Sequence, residues 1–158
     1  MEFKRTFDIL ENLTLICPDK TDMLAAKEKK TWVTYSVKDY VQNACNISYG
    51  LLALGLKKGD RIVSISNNRP EWNFADMGIA MAGMVHVPIY PTIGEDEYRY
   101  ILDHAEVKML MVGDSKLYEK LKPVVAGLPG ILHFYGFEEV NRIPTLEDLL
   151  RSGESNRG

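Results

Sequence analysis

Residues 57–92 read KKGDRIVSISNNRPEWNFADMGIAMAGMVHVPIYPT, and the fold class is decided in this stretch. Gly59 and Asp60 form a turn whose backbone the Asp60 carboxylate can bond, and Arg61 to Ser66 follow as a strand. Pro70 stands where a helix opens, a position at which its missing N–H costs nothing. Gly83 closes that helix, and Val85 to Tyr90 make the next strand. Two strands joined through one helix and short loops are the pattern of a parallel pair with a right-handed crossover.

Downstream the same alternation continues. Thr92 with Glu95 reads as a capping box for a helix ending near His104. Val107 to Val112 form a strand, Asp114 caps a helix ending at Gly127, and Ile131 to Tyr135 form a fourth strand. Strand starts at 61, 85, 107 and 131 leave room for one helix each time. The strands are nearly continuous apolar runs, as expected where helices cover both faces of a sheet. The expectation is an α/β fold: a mainly parallel βαβαβαβ sheet with its strands side by side in chain order.

Upstream, a short helix over Phe7 to Ile16 ends before Pro18. Met23 to Lys27 and Thr31 to Thr34 read as a β-hairpin around Glu28-Lys29-Lys30, with Trp32, Val33 and Tyr35 as β-formers. Ser36 caps the next helix, with Asp39 placed to reach back. Val37, Tyr40, Val41, Ala44, Ile47, Leu51 and Leu52 form its apolar stripe, and Gly55 ends it. Thr145 to Leu150 reads as a last short helix. The domain is therefore assigned to residues 1–150, and the polar 151–158 segment is expected to be disordered.

A chain of 158 residues fits one ordinary domain. Its 46% apolar and 26% charged residues carry no signature of disorder. A net charge of −3 with dispersed Lys and Arg argues against a nucleic-acid partner. Cys17 and Cys45 lack metal-ligand spacing and read as buried thiols of a reduced, cytoplasmic protein. Asp8 and Glu11 interrupt any signal-peptide core. The most apolar stretch, Met77 to Ile89, is too short to span a bilayer, so no transmembrane segment is expected.

Searches for chemistry-bearing motifs return structural readings. Gly50 and Gly55 have phosphate-loop spacing, but Leu56-Lys57 follows where Lys-Ser is needed, and the pair lies at a helix C-terminus. No G-x-G-x-x-G occurs. His104 suits a helix C-terminus, and His86 reads as a hydrogen-bonded core histidine. Ser64, Ser66 and Ser115 have no nucleophile-elbow context.

The runs Thr31-Trp32-Val33-Thr34-Tyr35-Ser36 and Leu54-Gly55-Leu56-Lys57-Lys58-Gly59-Asp60-Arg61-Ile62-Val63 resemble the opening of the adenylate-forming superfamily. Asn67-Asn68-Arg69-Pro70-Glu71-Trp72 and Ala82-Gly83-Met84-Val85-His86-Val87-Pro88-Ile89-Tyr90-Pro91-Thr92 extend the similarity, which covers residues 20–115 in order. The Asn-Arg-Pro-Glu-Trp and Pro-Ile-Tyr-Pro-Thr segments look most like the AMP-forming long-chain fatty-acid–CoA ligases. The resemblance implies a parent protein that uses ATP and Mg²⁺ to turn a fatty acid into an acyl-adenylate, which coenzyme A then converts to a thioester. The family's nucleotide loop and catalytic lysine have no counterpart within residues 1–158, so the resemblance implies an inactive N-terminal fragment whose partner is the remainder of the parent polypeptide. A ligase for an aromatic or short-chain acid, or a self-sufficient flavodoxin-like binding module, are the alternatives.

No catalytic, cofactor-binding or metal-ligating residue is assigned to the chain itself. Candidate cleft or structural residues are Asn67, Asn68 and Arg69, which follow a strand's carboxyl end where open α/β sheets place clefts, with Trp72, Tyr90 and Thr92. The 70–83 helix is apolar all round, with only Glu71 and Asp76 charged. Left uncovered by a later subdomain, it predicts self-association through that helix or an adjoining sheet edge, most simply as a symmetric homodimer.

Overall fold

The computed structural model describes residues 3–157. Helix α1 (Asp8–Ile16) leads into an antiparallel hairpin of β1 (Leu24–Glu28) and β2 (Thr31–Tyr35). Then follow α2 (Val37–Ala53), β3 (Arg61–Ile65), α3 (Pro70–Met81), β4 (Val85–Ile89), α4 (Glu95–His104), β5 (Met109–Val112), α5 (Ser115–Ala126), β6 (His133–Gly136) and α6 (Leu146–Ser155). The four later strands form one parallel sheet in the order β4-β3-β5-β6.

The α/β fold, the hairpin and the parallel pairing agree with the sequence reading, but the strand order does not. Chain order would set β4 between β3 and β5, and instead β3 holds that central place. The reason is local to β4. Pro88 has no N–H for a second ladder, so a strand carrying it belongs at an edge. The Val85 N–H points to Asp60 O on the β3 side at 2.9 Å, and alternation turns the Pro88 nitrogen outward.

Alternation also sorts the core into two layers. Ile62, Met109 and Met111 face α2, α3 and α6, while Val63, Ile65, Leu110 and Val112 face α4 and α5. Helices thus cover both faces, and β3 and β5 are buried on each.

Helix α2 has the start and stop that its sequence encodes. Ser36 accepts from the Asp39 N–H and the Asp39 carboxylate accepts from the Ser36 N–H at 2.8 Å, while Gly55 takes φ +82° just past its end. Helix α4 starts differently from expectation. Its cap is Gly94, whose N–H donates to Glu97 Oε2 at 2.7 Å, and Thr92 lies exposed outside the helix.

Two further expectations are corrected. The 151–155 segment is not disordered; it continues α6, because Gly153 is buried against the α2 backbone at Asn46 and a larger residue would keep the helices apart. Gly158 lies outside the described residues. Helix α3 is not left bare either. Phe74, Ala75 and Ile79 are buried within the chain, Gly78 packs on Ile47 of α2, and Tyr35 and Tyr40 both contact the Phe74 ring. The apolar face invoked for a homodimer is therefore already covered.

Candidate functional site

In an open parallel sheet, ligands bind beyond the strands' carboxyl ends where neighbouring connections leave in opposite directions. From β3 the chain crosses to β4 on one side, and β5 lies on the other, so the switch point falls between β3 and β5. A cleft of about 210 Å³ occupies that place, lined by Asn67, Asn68, Arg69, Gly113, Asp114 and Glu138. Asn67, Asn68 and Arg69 are brought together as the sequence position suggested.

Arg69 is the best-held residue of the cleft. Its Nε donates to Glu71 Oε2 at 3.1 Å and its Nη1 to Gly113 O at 3.3 Å, with Glu138 at 3.8 Å. The guanidinium lies 5.3 Å from the Phe137 ring centroid. It thereby ties the loops after β3, β5 and β6 into one wall. Asp114 and Glu138 in the lining outnumber this one cation, which Glu71 also pairs, so the cleft favours hydrogen-bond donors over anions.

The remaining candidates do not join this cleft. Trp72 turns to the other side of the α3 start, where its ring meets His86 at 5.2 Å. Tyr90 is 81% exposed, and its carbonyl accepts from the Tyr98 hydroxyl at 3.0 Å. Thr92 is exposed. Sequence reasoning missed Glu138, which follows β6 with no motif around it, and took Asp114 as a cap alone.

Beneath the sheet's α3 face lies a chain that sequence reasoning also missed. Asp76 Oδ1 meets His86 Nδ1 at 2.7 Å, and His86 Nε2 meets Ser64 Oγ at 2.7 Å. With Asp76 ionised, Nδ1 carries the proton and Nε2 accepts the Ser64 hydroxyl. The order is that of a hydrolytic triad, yet Ser64 is 1% exposed in the central strand. A substrate carbonyl has no approach to its oxygen, so the three side chains tie β3, β4 and α3 together. His86 is the hydrogen-bonded core histidine expected of it. Nearby, burial first and the Asp76 charge second push the Tyr40 phenol up to about 12.

The family profile described as AMP-binding enzyme matches residues 16–149. The chain belongs to that family. Over 90 residues this AMP-binding family member is 39% identical to fatty acyl-CoA synthetase A of Dictyostelium discoideum, a match covering 57% of this chain and 13% of that protein. Over 136 residues it is 26% identical to a long-chain-fatty-acid–CoA ligase of Rattus norvegicus, covering 83% and 19%. The chain spans less than a fifth of the length of these two relatives. Its fold resembles that of the anthranilate CoA ligase AuaEII, solved with anthranoyl-AMP, with a TM-score of 0.83 at 20% identity over 94% of this chain and 28% of that one. The resemblance read from residues 20–115 is borne out.

Free backbone N–H groups at a helix start are one ready site for a nucleotide phosphate. Helices α3, α4 and α5 open beyond the carboxyl ends of β3, β4 and β5, each with a carboxylate at its cap or in its first turn. Glu71 stands in the first turn of α3, Glu97 accepts the Gly94 N–H at α4, and Asp114 Oδ1 accepts the Leu117 N–H at 2.8 Å at α5. At α4 and α5 a carboxylate already takes an N–H of the helix start, which disfavours a phosphate there, whereas at α3 Glu71 pairs with Arg69 instead. Among the described residues no group of three His, Cys, Asp or Glu side chains converges to hold a metal, and no helix is long and apolar enough to cross a membrane.

Proposed function

We propose that this chain is the N-terminal α/β subdomain, residues 1–150 with α6 completing it, of a cytoplasmic AMP-forming long-chain fatty-acid–CoA ligase, and that alone it is inactive. The observation that carries the reading is the set of acyl-CoA ligase relatives, long-chain enzymes among them, of whose length this chain covers less than a fifth. ATP, Mg²⁺ and coenzyme A are then held by the remainder of the parent polypeptide. The role of this chain is to supply the wall at Asn67, Asn68 and Arg69 against which that remainder packs. Asn67 and Asn68, exposed at the switch point, offer amide donors and acceptors there. Trp72, Tyr90 and Thr92 act as structural-motif residues outside the cleft.

Two measurements test this. Calorimetry of the chain with Mg-ATP should give no saturable heat, and palmitate should elicit no ATP–pyrophosphate exchange. A dissociation constant near about 1 µM would refute the inactivity. Expressed with its complete reading frame, the protein should form palmitoyl-CoA faster than benzoyl-CoA or acetyl-CoA. The reverse preference would replace the long-chain assignment with an aromatic or short-chain one.

A further inference from the structure

A groove of about 550 Å³, larger than the switch-point cleft, lies between the hairpin and the start of α3, within the size range of small-molecule sites. Both tryptophans of the sequence line it, Trp32 from β2 and Trp72 from α3. Leu24 and Pro70 give it an apolar floor, and Lys27 and Asn68 reach it from opposite sides.

The two indoles are held in different ways. Trp72 packs on His86, whose ring is fixed through both nitrogens by Asp76 and Ser64, so this wall is rigid before any ligand arrives. Trp32 is 66% exposed and, among the described residues, makes no ring contact. Lys27 stands directly across the hairpin from Trp32. Among the described residues neither the Lys27 ammonium nor the Asn68 side chain has a hydrogen bond or ion pair. An exposed indole beside an unpaired cation, opposite a fixed indole and an unpaired amide, is a complementary surface lacking its complement.

We propose that this groove binds a planar aromatic ring bearing an anionic group, the ring against the indoles and the anion at Lys27. The groove shares Asn68 and Arg69 with the switch-point cleft, but both indoles and Lys27 lie outside that cleft, and the proposal does not rest on the ligase reading.

The test uses ¹⁵N-labelled chain and its two indole N–H resonances, both of which report on the groove. Titration with 2-naphthoate should shift both saturably, with a dissociation constant of about 1 mM, ordinary for a small ring. Cyclohexanecarboxylate, of equal charge and no π-face, should shift neither saturably. Trp32→Ala should weaken 2-naphthoate about tenfold and Lys27→Ala about fivefold, while Trp32→Phe keeps affinity within about twofold. Both positions are exposed, so the fold survives these changes. Absence of saturable shifts up to about 10 mM would overturn the proposal. So would equal binding of the two carboxylates, or affinity unchanged by both alanine variants.

Discussion

Gly78 lies in the middle of α3, where alanine should on helix propensity alone stabilise by about 1 kcal/mol. The packing opposes that gain. A Cβ at this position would lie 2.7 Å from both Ile47 Cβ and Ile47 Cγ2 and 2.8 Å from the Ala44 carbonyl oxygen of α2. Ordinary carbon contacts are about 3.5–4.0 Å, so the new methyl intrudes by roughly 1 Å. Two of the three obstacles, a Cβ and a backbone oxygen, cannot swing aside by changing a rotamer. Overpacking of this kind costs about 3 kcal/mol, the upper end of the usual range. Gly78→Ala should therefore destabilise by about 2 kcal/mol net. In urea, followed by far-ultraviolet circular dichroism, the midpoint should fall by about 1 M at an unchanged slope. Adding Ile47→Ala removes the Cγ2 obstacle, and the double-mutant cycle should show favourable coupling of about 1 kcal/mol. A Gly78→Ala midpoint equal to or above that of the parent chain would refute the close α2–α3 contact.

Asp114→Ala removes the acceptor of the Leu117 N–H and should cost about 1 kcal/mol by the same denaturation assay, while Asp114→Asn should restore most of it. The Tyr40 phenol gives an alkaline prediction. Its folded value is raised, so its contribution is complete below pH about 10, where the unfolded phenol titrates, and is lost as pH climbs toward about 12. Stability should fall across that window, and Tyr40→Phe should flatten the fall; an unchanged slope would count against the buried phenol.

Helix α2 is legible in the sequence because every signal for it is local: Ser36 and Asp39 close one end, the apolar stripe sets the face, and Gly55 stops it. Strand order depends on which neighbour each strand accepts, and alternation of elements does not encode that. A clue existed in Pro88, since a strand with a proline belongs at an edge. The start of α4 differs because Thr92 and Glu95 have the right spacing, but so do Gly94 and Glu97, and it is Glu97 that reaches back to the cap N–H, at a glycine with no side chain to form the other half of a box. In α6, glycine and polar residues suggested disorder, whereas Gly153 serves a crossing with α2 that only tertiary structure creates. At the site, Asn67 to Arg69 were legible from their place after a strand. Glu138 reaches Arg69 only because β6 lies next to β5, and the Asp76–His86–Ser64 chain joins three elements that no sequence motif connects.

The outward nitrogen of Pro88 also bears on how the chain behaves at high concentration. An open strand edge normally offers a row of donors and acceptors on which a second molecule can add a strand, the first step toward fibrous aggregates. Along β4 the outward-facing nitrogens are those of His86 and Pro88, and only His86 carries a hydrogen. The pyrrolidine ring stands where an incoming backbone would need to lie. Growth of the sheet in that direction is blocked by one residue, so the chain can expose a short parallel edge, with Val85 beside it, without presenting a template for its own copies.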